Sequence, residues 1–270
     1  MITFLRKYEV WCLLGLIILI NAIFVTCIVW DILPKRLYNF GRFLLLGVVL
    51  FGGVFLARGW DGVKGLVTPM LKWRRSPLWY LGALFVNAVI CGLFLAVKGA
   101  VLGTGVFDIG VTFDLVRRPH VLLTVGIGSF IGEIVWISYA VTRLSKQVTS
   151  FEAALIVGAV WTAWWMPMVI YNFGVIPNLP FGALLINQTG IALICTLVYI
   201  RSQSGLVVLC MQMMFNLTVL AFPVTPLAGG VGTYWAFAGT YFCAALLMFV
   251  IFGPKPMLSL NHQKESPTVI

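Results

Sequence analysis

Eight stretches of roughly twenty mostly apolar residues follow one another along the chain, near 10–30, 39–57, 77–98, 120–142, 151–172, 182–200, 204–223 and 232–252. A membrane-spanning helix needs about 20 such residues, because the hydrocarbon core is ~30 Å thick and each helical residue rises ~1.5 Å. Backbone polar groups in lipid must be satisfied internally, so the stretches predict helices. The fold class expected is all-α: a polytopic membrane protein, a bundle of about eight transmembrane helices. With short connections, eight spans use up most of the 270 residues. Residues 1–253 are therefore expected to form a single transmembrane helical domain and 254–270 a polar cytoplasmic tail. No soluble catalytic domain fits beside them.

Charge is scarce and one-sided. Charged residues make up 10% of the chain, where a soluble domain carries roughly a quarter. The acids are Glu9, Asp31, Asp61, Asp108, Asp114, Glu133, Glu152 and Glu265, against 18 Lys and Arg, giving a net charge of +10. In a membrane protein that excess sets topology and contact with lipid rather than nucleic-acid binding. With the N-terminus inside, Arg6, Lys7, Arg58, Lys64, Lys72, Arg74, Arg75, Arg143, Lys146, Arg201, Lys255 and Lys264 fall on the cytoplasmic side. Lys35, Arg36, Arg42, Lys98, Arg117 and Arg118 fall outside. The asymmetry favours both termini in the cytoplasm.

The six cysteines lie inside apolar runs with no CxxC spacing, which suggests neither a disulfide framework nor a zinc site. Arg6 and Lys7 before an apolar stretch imitate a signal peptide, but the run to Trp30 is too long for a typical signal core and reads as the first span. Residues 58–76, RGWDGVKGLVTPMLKWRRS, mix basic residues with Trp60, Leu66, Met70 and Trp73 and suit a helix lying on the anionic inner leaflet. Residues 99–119, with four glycines, Asp108 and Asp114, read as an irregular outer loop.

An ionisable group at membrane depth is a functional candidate by default. Glu133 is the acid well inside a predicted span, ten residues before Arg143, hence ~15 Å from it on an α-helix and near mid-bilayer. Gln212 and Asn216, four apart, share a face of the seventh span, and Asn187 or Gln188 opens the sixth. Taken singly, such amides are ordinary glue between membrane helices. Trp161 and Trp165 share a face of the fifth span, where Pro167 is expected to kink the helix or free a carbonyl.

Together these segments resemble a family. The order is KWRRSPLWYL, then GEIVWISYAVTRL, a short loop into FEAALIVGAVWTAWWMP, and finally SGLVVLCMQMMFN. Over residues 58–220 the chain is similar to the CPBP intramembrane proteases, which include CAAX prenyl endopeptidases and bacteriocin-processing proteins. The family's motifs are Glu-Glu-x-x-x-Arg, Phe/Trp-x-x-x-His and His-x-x-x-Asn/Asp. Here Gly132 stands where the first Glu belongs, Glu133 fits the second, and Ile137 replaces the Arg. Trp161 fits the aromatic position while Trp165 occupies that of the first His, and Gln212 occupies that of the second, with Asn216 fitting.

The resemblance implies a water activated by the first Glu and first His, and an oxyanion held by the second His and Asn. This sequence lacks the base and both imidazoles. Its two histidines are His120, at a membrane border, and His262, in the tail, so no buried pair and no three-ligand zinc site can form with Glu133. The expectation is a degenerate, catalytically inactive CPBP-like protein of the bacterial inner membrane, with no metal, no cofactor and no nucleic-acid partner. Its partners would be membrane lipids and a membrane protein, whose transmembrane helix or lipidated segment it binds as a scaffold or assembly factor. Glu133, Trp161, Trp165, Gln212 and Asn216 are the candidate binding residues. Two alternatives stay open: an active peptidase using Glu133 as base with Asn216 and Gln212 as oxyanion donors, and a small-molecule or proton carrier using Glu133 as relay.

Overall fold

Each apolar stretch is helical in the computed structural model, which describes residues 2–105 and 110–258, with side chains from Tyr8 onward. Asp108 and most of the expected tail, with His262, Lys264 and Glu265, lie outside the described residues, as do the side chains of Arg6 and Lys7. The elements are α1 (Ile2–Val29), α2 (Tyr38–Val67), α3 (Pro77–Leu102), α4 (Pro119–Gly132), a π-helix (Glu133–Val141), α5 (Ser150–Ile170), α6 (Phe181–Ser202), α7 (Gly205–Ala221) and α8 (Val231–Phe252). Among the described residues there are eight segments long and apolar enough to cross a membrane, α4 and the π-helix belonging to one of them, and no strand. The protein is an all-α polytopic membrane protein.

Local chemistry sets the helix ends. Pro77 and Pro119 open α3 and α4, where a missing N–H costs nothing. α5 begins on a capping box: Glu152 N donates to Thr149 Oγ1 at 3.2 Å, and Thr149 N donates to Glu152 Oε2 at 2.9 Å. It then runs through Pro167 to Ile170, so the proline does not end the helix. The segment expected at 58–76 is in part the continuation of α2 past Gly59, whose φ of 65° and ψ of −158° suit glycine alone. Beyond that bend Leu66 and Met70 are buried against the bundle, whereas Trp60 and Trp73 are exposed.

The centre of the bundle is α6 and the π-helix. α6 packs against α5 and α8, and every residue of the π-helix is buried, in contact with α2, α5, α6 and α7. Close approach of α5 to α6 depends on Gly158, which lies directly over Thr189. At one end of the bundle Glu9 of α1 is buried and paired with Arg58 of α2 (Nε to Oε2, 2.5 Å), and Tyr139 of the π-helix donates to its other oxygen at 3.1 Å. These contacts pin α1, α2 and the π-helix together, and they leave the space between α2, α4, α5, α6 and α7 to be lined by other groups.

Candidate functional site

That space is a cavity of about 180 Å³. Of the residues singled out from sequence, Gly132, Trp161, Trp165, Gln212 and Asn216 all line it. They arrive from three separate spans. Gln188 also lines it, and Asn187 lines the groove that continues from it.

Glu133 and Ile137 are fully buried but do not line the cavity. A π-helix begins at Glu133 and widens the turn, so positions five apart come into register. Ser138, five residues on, donates to Glu133 Oε1 at 2.6 Å. The carboxyl lodges beside Gly205 and Met70: a Cβ added to Gly205 would stand 2.9 Å from both Glu133 Oε1 and Met70 Sδ. Gly132 faces the cavity while its neighbour faces away. Glu133 therefore does not join Trp165, Gln212 and Asn216 in lining the cavity, because neighbouring residues of a helix point about 100° apart and Gly132 takes the direction of the cavity.

Indoles form one wall. Trp136 and Trp161 stack at 5.7 Å and 20°, Trp164 meets Trp136 edge-on at 6.3 Å, and Trp164 and Trp165 are edge-to-face at 5.5 Å. Such offset and T-shaped contacts add ~0.5–1.5 kcal/mol per pair to area burial and hold each ring in one orientation. On the opposite wall Asn216 Nδ2 donates to Ser129 Oγ at 3.1 Å and to the Gln212 carbonyl at 3.0 Å. Gln212 itself is buried, with Oε1 turned toward Gly132.

The most consequential lining residue was not singled out from sequence. Arg42, counted as an outer flanking cation of the second span, is 6% exposed. Its guanidinium carbon stands 5.0, 4.7, 4.8 and 4.6 Å from the ring centroids of Tyr38, Phe43, Trp164 and Trp165. Nη1 donates to Tyr38 Oη at 3.1 Å, and no described carboxylate pairs with it. The available signal was its place four residues inside α2, one helical turn after Tyr38 and next to Phe43.

The cavity continues into a second, more apolar groove of about 240 Å³. Trp165, Gln188, Phe215 and Asn216 belong to both, and the groove runs on past Val175, Ile176, Leu179 and Val219. Among the described residues no three His, Cys, Asp or Glu side chains gather in a way that could hold a metal ion, and His120 is exposed. Compared with known proteins, the chain matches no family model and no curated protein.

Proposed function

We propose that this protein is a non-catalytic, CPBP-like membrane protein that binds a transmembrane helix or a lipidated segment of a partner in the cavity between α2, α4, α5, α6 and α7. One observation carries the reading. Gly132, Trp165, Gln212 and Asn216, the positions that would hold the base, both imidazoles and the amide of an intramembrane protease, line a single cavity as a glycine, an indole and two amides. None of these groups exchanges a proton near neutral pH, so the arrangement can hold a ligand but cannot run general-base hydrolysis. The peptidase alternative has no comparable support, because Glu133 lodges against Ser138 and Gly205 instead of the cavity. A proton relay lacks support too, because among the described residues no acid, Lys, His or second Arg lines the cavity beside Arg42.

The test follows one lipidated peptide for two readouts, retention and cleavage. Bound and intact peptide is expected; a cleaved product overturns the proposal. Localisation in a bacterial inner membrane with both termini cytoplasmic belongs to the same proposal, on the strength of the basic asymmetry. Reporter fusions after Lys255 and within 173–181 should then report opposite sides; the same side for both contradicts an even number of spans with the termini inside.

A further inference from the structure

Beside the Gln212 amide oxygen turned toward Gly132, the cavity's residues carry buried polar atoms without partners, and these are of one kind. Among buried side-chain nitrogens and oxygens that meet no partner within the described protein, four belong to residues of this cavity: Arg42 Nε, Trp164 Nε1, Trp165 Nε1 and Gln212 Nε2. All four are donors. A fifth, Asn187 Nδ2, lies in the adjoining groove. Leaving one buried donor without an acceptor costs about 1–3 kcal/mol, and more for a charged group. Four around one space are an arrangement that a set of acceptor oxygens would complete.

Charge says the same. Arg42 is the charged residue of the lining, and no acid faces it there. Four aromatic rings surround the guanidinium. Nη1 is taken by Tyr38, while the Nε–H meets no partner within the described protein, and guanidinium N–H groups are the ones that grip carboxylate or phosphate oxygens. The continuing groove is walled by Val175, Ile176, Leu179 and Val219 and suits an alkyl chain. A single cation matches a single negative charge, which favours a carboxylate or phosphodiester over a phosphomonoester carrying up to two.

We infer that the cavity binds a monoanionic amphiphile, with its carboxylate or phosphodiester oxygens on Arg42, Trp165 and Gln212 and its chain along the apolar groove. The inference rests on the proposed binding role and deepens it by naming the ligand's chemistry. A phospholipid, a fatty acid and the acidic end of a lipidated segment all present that chemistry.

The probes are radiolabelled dodecanoate and radiolabelled lauroyl-lysophosphatidylglycerol, added to the full-length protein in an uncharged detergent. Dodecanol, acetate and inorganic phosphate serve as competitors. Saturable binding of at least one probe is expected, displaced by its own unlabelled form and at least tenfold less well by dodecanol, acetate or phosphate. The tighter probe identifies the headgroup. Arg42→Gln should weaken binding about 10- to 100-fold, the range of a charged hydrogen bond. Trp165→Phe, which keeps the ring and removes the N–H, should weaken it about three- to tenfold and stands in for Arg42→Gln if that variant does not fold. Failure of both probes to bind, equal competition by dodecanol or by the small anions, or native affinity in the variants overturns the inference. A lipidated peptide held without dependence on Arg42 would leave the non-catalytic binding role standing and remove this ligand, whereas peptide cleavage would remove the role and leave the anion measurement to be judged by itself.

Discussion

Gly158→Val is expected to destabilise the protein by about 3 kcal/mol, at the top of the usual range for overpacking. A Cβ at that position would stand 2.6 Å from Thr189 Cα, 2.8 Å from Thr189 Oγ1 and 3.0 Å from Thr189 Cβ. The nearest of these is a backbone atom, which no rotamer change can move. α5 would have to lift from α6, the helix at the centre of the bundle, and would carry Trp161, Trp164 and Trp165 with it. The thermal midpoint in detergent should fall by about 6–12 °C on the scaling of soluble domains. Gly82→Val is the control, because a Cβ there meets nothing within 4 Å and surface changes stay within about 0.5 kcal/mol. Equal midpoints for the two variants would contradict the close α5–α6 contact.

Gly132→Glu should fill the cavity and weaken ligand binding at least ~100-fold while the fold survives. An added Cβ meets Gln212 Oε1 at 3.2 Å and Trp136 Cδ1 at 3.5 Å, tight contacts with side-chain atoms that can yield a few tenths of an ångström. The carboxyl beyond it would enter a space whose one charged wall is Arg42, and would compete there with any anionic head. Gly132→Ala adds the Cβ without the carboxyl and should cost no more than about tenfold. Adding Trp165→His and Gln212→His to Gly132→Glu places an acid and two imidazoles in the cavity. Hydrolytic activity should stay low even so, since misplacement by about 1 Å can cost ~10²-fold. Native binding by Gly132→Glu would show that the ligand lies elsewhere.

The spans were legible because hydropathy alone decides them: all eight predicted stretches overlap the eight apolar helices. Motif order put Glu133, Trp165, Gln212 and Asn216 in one cluster; Trp165, Gln212 and Asn216 line the cavity together with Gly132, and Glu133 does not. The partner of Glu133 was not legible, because the Ser138 contact five residues on depends on a π-helix, and nothing in EIVWISYAV separates that ladder from an α-helical one. Arg42 was hidden by its position near a span end, where a cation ordinarily reaches water along its stem. Burial came instead from Tyr38, Phe43 and two tryptophans more than a hundred residues away, a contact no local pattern encodes. Glu9 drew no reading beyond its place among the eight acids. It proves buried because α1 and α2 are neighbours that bring Arg58 to it.

The central claim is that the cavity binds without cutting. Its most direct measurement is mass spectrometry of a prenylated or transmembrane peptide incubated with the purified native protein, alongside Glu133→Gln, Asn216→Ala and Trp165→Ala. The account predicts intact peptide in all four samples, with the peptide retained by the native protein and retained about tenfold more weakly after Trp165→Ala. A cleavage product from the native protein that disappears in Glu133→Gln or Asn216→Ala would contradict it.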